Sequence, residues 1–249
     1  MKIKGKYGSK TDIGSVRKNN EDQALSLIDE DENILLCVCD GVGGNNNGNI
    51  ASKLVVEKIA TEFLNKKKWI FSYQVDKWIN KLIKTVNLLV WKKAQTSDEN
   101  KGMGTTLTMA LFFKKNIHIV NIGDSRCYEL LSDNIQQLTR DQTYAQYLVS
   151  KNRISSDEKR TVKERHALMN FIGFAKSIPF EYKVIENHNR SILLCSDGLY
   201  NNASDKQIFS SLNTSDILDQ KIATLIGIAK TNGGTDNIAI SLWEPLEND

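Results

Sequence analysis

The sequence predicts an α+β fold, with antiparallel sheets and segregated helices. Strand candidates cluster, while helix candidates arrive in consecutive pairs instead of alternating strand by strand. The stretch TLTMALFFKKNIHIVNIGDSRCYEL reads as a meander, with short turns at 114–116 and 123–125, which a doubly wound parallel sheet would not supply. A third observation fixes the scale. A chain of 249 residues, 40% hydrophobic and 25% charged, without linker, repeat or low-complexity stretch, suits one domain over 1–249 with a substantial core.

Strands are expected at 23–28, 34–39, 105–113, 117–122, 127–131, 182–185, 191–195 and 238–243, where β-branched and apolar residues run together. Between the second and third of these lie two helices. Ala51, Leu54, Val55, Ile59 and Phe63 carry the apolar face of the first, and Val75, Trp78, Ile79, Leu82, Ile83, Val86, Leu89 and Val90 that of the second. Trp78 and Trp91 therefore read as helix packing. A further helix fits 217–230, and shorter ones fit 144–151 and 162–171.

Composition excludes several classes. With 33 basic and 30 acidic residues the net charge is +3, too balanced for a nucleic-acid surface. No apolar run approaches the length of a membrane span, and the lysine-bearing start has no apolar segment behind it, so no secretory signal is read. Cys37, Cys39, Cys127 and Cys195 lack zinc-ligand spacing and read as buried thiols of a reducing cytoplasm. His118, His166 and His188 lie far apart and offer no zinc motif.

Acidic residues recur where apolar runs begin or end. ILLCVCDG ends on Asp40, SILLCSDG on Asp197 and HIVNIGD on Asp124, while Asp236 precedes the last strand and Glu21 and Asp22 precede the first. Taken singly, each is a turn or helix cap. Together, on one rim, they would repel and raise each other's pKa unless a cation compensates. All-oxygen ligation selects a hard divalent ion, magnesium or manganese. Gly41, lacking Cβ, would let its carbonyl approach a cation held by Asp40, and Gly43, Gly44 and Asn45–Asn47 read as a tight turn. The stretch has no Gly-Lys-Ser/Thr of a P-loop, and Asn46 stands where the dinucleotide fingerprint needs its third glycine. Arg17, four residues before Glu21, offers a planar fork that matches two phosphate oxygens.

These blocks resemble a known family. TDIGSVRKNNEDQ, CDGVGGNNNGNIAS, GMGTTLT, NIGDSRCY, LCSDGL and GGTDNIAI are similar, in order and spacing, to the signatures of metal-dependent type 2C protein serine/threonine phosphatases, especially the bacterial stand-alone catalytic domains. The blocks span about 6–243. The resemblance implies a four-layer α-β-β-α sandwich, two antiparallel sheets flanked by pairs of antiparallel helices, with a metal centre at one end. It implies two Mn2+ or Mg2+ ions, bridged by Asp40 and held by the Gly41 carbonyl, Asp197 and Asp236. Glu21 and Asp22 would hold metal-bound waters or the second ion. Asp124, with Asp197, would bind a third ion. Arg17 would bind the phosphate, Asp22 would serve the leaving oxygen, and Asn237 would support the last aspartate. The implied reaction is one-step hydrolysis of phosphoserine and phosphothreonine by an activated water. Phosphorylated proteins and a cognate Ser/Thr kinase would be the partners, with no nucleic acid or membrane, and a monomer is expected.

The chain also departs from the family. Asn45 and Asn49 stand where histidine and glutamate are frequent, Gln142 replaces a usual histidine, and the segment around Arg165 in the flap region, about 139–180, lacks the usual His-Pro pattern. Substrate preference is therefore open. A phosphopeptide-binding module without turnover and a small-molecule metallophosphatase stay as alternatives, separable by peptide hydrolysis with and without divalent metal.

Overall fold

The computed structural model describes residues 4–43 and 47–246. Gly44, Asn45 and Asn46 of the expected turn lie outside the described residues. Eleven strands and six α-helices are described, and every strand pairing is antiparallel. One sheet runs in the order β1 (Gly5–Asp12), β11 (Ile238–Pro245), β10 (Ile192–Cys195), β7 (Arg126–Leu130), β8 (Ile135–Gln137). The other runs β2 (Asp22–Ile28), β3 (Ile34–Val42), β5 (Leu107–Phe113), β6 (Asn116–Ile122), β9 (Glu181–Glu186), with β4 (Gly104–Thr105) on the end of β3.

Three apolar clusters define four layers. Between the sheets lie Leu36, Val38, Phe112, Cys127, Leu194 and Trp243, with the Phe112 and Trp243 rings 4.7 Å apart. Outside the second sheet, α1 (Asn47–Leu64) and α2 (Ser72–Ala94) bury Val55, Ile59, Phe63, Ile79 and Val86 against it. Outside the first, α5 (Asp205–Leu212) and α6 (Leu218–Thr231) bury Ile208, Leu212, Ile222 and Leu225. The strand interiors are apolar on both faces because each sheet is covered twice, once by its partner and once by helices. Full burial of a side chain such as Trp243 contributes about 1.5–3 kcal/mol. All four cysteines are buried and unbridged.

The short helix expected at 144–151 is α3 (Tyr144–Ser150), which Thr143 opens by accepting the Gln146 amide. Several other expectations are corrected. β3 does not stop before Asp40 but continues to Val42, so Asp40 lies within the strand, directly opposite Asp22. Asn47 opens α1 instead of adopting a turn, while Gly43 does take positive φ. The helix expected at 162–171 is absent. Leu168 and Ile172 make bridges to Thr143 and Thr105, and this pull into extended backbone overrides the local apolar spacing. β1 has no apolar signature, since GKYGSKTD is an edge strand, half-covered along its length. α5 is not among the expected helices, although Ser204 and Gln207 cap each other, the Gln207 amide donating to Ser204 Oγ and the Ser204 amide to Gln207 Oε1.

Candidate metal centre and active site

The two sheets meet at one rim, and the acidic residues of both converge there. Asp22 and Asp40 face each other across the β2–β3 pair. From the other sheet Ser196, just before α4 (Asp197–Tyr200), donates its hydroxyl to Asp22 Oδ2 at 2.6 Å and accepts from the Ala239 amide at 2.8 Å. This hydroxyl ties the sheets together beneath the rim.

Asp40 is held by its backbone. Its amide donates to Thr106 Oγ1 (2.9 Å), and its carbonyl accepts from the Thr106 amide (2.8 Å) and Thr105 Oγ1 (2.9 Å). Asp197 and Asp236 are brought together by a close backbone approach. A Cβ on Gly198 would lie 1.9 Å from the Asn237 carbonyl oxygen, so only glycine lets the start of α4 pack against the start of β11. Asp124 ends the turn after β6, and Tyr200 donates its hydroxyl to the Asp124 carbonyl at 3.1 Å.

The glycine after Asp40 has a reason that no local pattern shows. A Cβ on Gly41 would lie 2.4 Å from the Gly48 carbonyl carbon, so the pair lets the N-terminus of α1 rest directly on β3. Glu21 belongs to the same joint. The Gly48 and Asn49 amides and Arg17 favour its charged form against the burial that raises its pKa, and its carbonyl accepts from Ser52 Oγ at 2.6 Å. A carboxylate at a helix N-terminus satisfies otherwise unpaired amides. Glu21 thus sits between the terminus of α1 and the Arg17–Asp236 pair, whereas Asp22 is tied to Ser196 beneath the rim.

The electrostatics are those of a crowded acidic site. Burial, then Asp197 and Asp236, push the Asp22 carboxyl up to about 8. Burial, then Asp197, push Asp124 up to about 8. Asp197 rises to about 6 through burial and the neighbouring Asp236. Asp40 is raised well above the usual carboxylate range by burial and by Asp22, Asp197 and Asp124. Arg17 is the cation at the mouth. Its Nη2 donates to Asp236 Oδ2 at 2.7 Å, and the charges of Asp197 and Asp40 help hold its proton. Asn237 anchors the loop that carries Arg17. Its Nδ2 donates to the carbonyls of Ile13 and Asn19, both at 2.9 Å, and its Oδ1 accepts from the Glu21 amide at 2.9 Å.

Among the described residues, no three Asp, Glu, His or Cys side chains form a finished cage around one point. The donor chemistry nevertheless fits a hard cation. Asp22, Asp40, Asp124 and Asp197 all have raised pKa values because burial penalises their charge and neighbouring aspartates add to it. Among the described residues, the one ion pair made by the rim carboxylates is that of Asp236 with Arg17. Added divalent positive charge is what such a set lacks.

Sequence patterns assign no role to Thr105, Thr106, Ser196, Ser52 or Tyr200, although the first four lie within the signature blocks. Serine and threonine carry no signal of their own, because their role here is to hold a neighbour's backbone or carboxylate. Arg126 is equally silent in the sequence. It binds Asp141 with two nitrogens (3.0 and 2.6 Å), donates to Tyr128 Oη and stacks 3.6 Å over the Tyr200 ring. Gln142, the unusual residue of the flap, knits that segment to the turn before Asp124. Its Oε1 accepts from the Gly123 amide and Asn170 Nδ2, and its Nε2 donates to the Asn121 carbonyl.

A double antiparallel sandwich with an acidic rim and an arginine at its mouth has the build of a metal-dependent phosphatase domain. The chain matches the protein phosphatase 2C family over residues 15–236 and belongs to it. It is 29% identical over 236 residues to the serine/threonine phosphatase stp of Listeria innocua, covering 94% of each chain. It is similar to the crystal structure of the serine/threonine phosphatase Stp1 from Staphylococcus aureus, with TM-score 0.91 and 30% identity over 100% of this chain and 98% of that one. The catalytic domain of the serine/threonine protein phosphatase PstP, solved with 2 manganese ions, gives TM-score 0.83 at 28% identity over 98% and 99% of the two chains.

Proposed function

We propose that this protein hydrolyses phosphoserine and phosphothreonine in proteins in a reaction dependent on divalent metal. The observation that carries the reading is the convergence of Asp22, Asp40, Asp124, Asp197 and Asp236 from both sheets on one rim, with Arg17 at its mouth. Asp40, Asp197 and Asp236, with the Gly41 carbonyl, would hold two ions, manganese or magnesium, and Asp124 with Asp197 would hold a third. When bound, these ions supply a water of lowered pKa and positive charge against the phosphoryl oxygens.

The chain's own groups do the rest. Arg17 is half-exposed, so it can exchange Asp236 Oδ2 for two oxygens of a phosphoryl group, which its fork matches. Asn237 keeps the Arg17 loop against β11. Asp22, fixed by Ser196 Oγ, presents a carboxyl group whose raised pKa suits proton exchange with the leaving oxygen. Thr105 and Thr106 fix the backbone of Asp40, so its carboxylate needs little reordering.

A protein kinase acting on the same Ser/Thr sites, a monomeric state and a cytoplasmic setting complete the reading. Unbridged buried thiols support that setting. Among the described residues no helix is long and apolar enough to cross a membrane. A binding module without turnover is disfavoured, because five crowded carboxylates destabilise a fold that has no use for a cation. The test is hydrolysis of phosphoserine, phosphothreonine and phosphotyrosine peptides with Mn2+, with Mg2+ and with EDTA. Turnover of the first two only with metal is expected, and none under any condition would refute the reading.

A further inference from the structure

Beside the acidic rim, the turn at Asp157–Thr161 and the segment after it, which fails to form the expected helix, contribute one wall of a cleft of about 610 Å3. The cleft is lined by Asp124 of the rim, by the Arg126–Asp141 pair and Tyr200, and by Lys159, Arg165 and His166. Arg126 and Asp141 neutralise each other through two hydrogen bonds. His166 carries little charge near neutrality, since burial and the charges of Arg165 and Arg126 push its pKa down. Lys159 and Arg165 are different. Neither forms an ion pair among the described residues, although Asp124 and Asp141 line the same cleft. Two unneutralised cations thus line a concave wall continuous with the carboxylate rim.

We infer that this wall selects the substrate: Lys159 and Arg165 bind acidic side chains that flank the phosphorylated residue. The inference rests on the hydrolase reading above and deepens it. A peptide whose phosphate sits at the rim must lay its flanking residues over the surrounding surface, and this cleft, which Asp124 also lines, is concave surface next to the rim. With the rim's charge met by divalent ions, the two cations favour acidic flanking residues on this side, and Arg165 can engage a carboxylate with two nitrogens.

The test compares three phosphothreonine peptides with Glu, Ala or Lys at the three positions on either side of the phosphoresidue, with Mn2+ present, alongside nitrophenyl phosphate. The ratio of kcat/KM for the Glu peptide over the Lys peptide is the readout. Two partly exposed ion pairs predict a ratio of about ten, expressed mainly in KM and shrinking toward one in high salt. Lys159→Glu and Arg165→Glu should each lower it, and the double variant should bring it below one. A wild-type ratio near one with all substrates turned over would overturn the inference and leave the hydrolase reading intact. A double variant that keeps the wild-type ratio would overturn it equally. Failure to turn over nitrophenyl phosphate and all three peptides would overturn the hydrolase reading, and this inference with it.

Discussion

Replacing Asn237 with alanine removes three hydrogen bonds at once, to the Ile13 and Asn19 carbonyls and from the Glu21 amide. Asn237 is buried, but the loop it holds is mostly exposed, so the released backbone groups can recover water. Each bond then contributes its net value of about 0.5–1.5 kcal/mol, and the lower half of that range applies, giving a loss of roughly 1.5–3 kcal/mol. For a chain of 249 residues the unfolding entropy near the midpoint is about 0.5 kcal/mol/K, so Tm should fall by about 3–6 °C. The functional effect is separate. Arg17 loses the frame that aims it, and its remaining tie is a half-exposed ion pair with Asp236 worth about 1 kcal/mol or less. With nitrophenyl phosphate and Mn2+, KM should therefore rise more than kcat falls. Asn237→Asp sharpens the test, because it keeps the volume but sets a carboxylate oxygen against two carbonyls; it should be at least as damaging. An Asn237→Ala protein with an unchanged Tm and an unchanged KM would refute this account of the loop.

Asp40→Asn should lose Mn2+ binding and turnover together, whereas Arg17→Ala should keep metal binding and raise KM; titration calorimetry separates them, and two tightly bound ions in the Asp40 variant would contradict a bridging role. In EDTA, stability should fall as pH rises from about 5 to 8. Asp22 and Asp124 hold protons up to about 8 when folded but release them near 4 when unfolded, so their stabilisation is complete below the unfolded value and lost as pH passes the folded one. The rise in Tm produced by Mn2+ should grow over the same interval, because cations bind the unprotonated carboxylates; melting curves that rise with pH in EDTA would count against the crowded site. Gly48→Ala would place a Cβ 2.6 Å from the Gly41 carbonyl carbon and 2.9 Å from the Val42 nitrogen, both backbone atoms that cannot step aside. A loss of about 1–3 kcal/mol is expected in denaturant unfolding, and an unchanged midpoint would show that α1 does not rest on β3 as described.

Much of the fold is legible in the sequence because its signals are local. Apolar runs with β-branched residues mark most strands, and the spacing of Val75, Ile79, Leu82, Val86 and Val90 marks α2. Elements held by partners instead of composition are not legible. β1 is polar along its length and is a strand because β11 offers it eight paired positions. The segment 162–171 has helical spacing, yet Thr105 and Thr143 hold this region in extended bridges. The sequence suggests room for a cation at Gly41, but only the packing of α1 on β3 reveals why both Gly41 and Gly48 lack a side chain.

Residue type set the chemistry open to the site: many carboxylates, oxygen donors above all, and Arg17 close in the chain to the first acidic pair. Packing between distant segments then fixed how those residues are used. It set Glu21 between the α1 terminus and Arg17 and tied Asp22 to Ser196 of the other sheet, although the two are adjacent in the chain. It placed Asp40 inside a strand opposite Asp22, and set Asp197 beside Asp236 through the contact at Gly198. It also set Lys159 and Arg165 on the wall of the cleft. The reason is physical. Residue type fixes what a group can bond to, while direction, burial and the charge of neighbours depend on chain segments far apart in sequence.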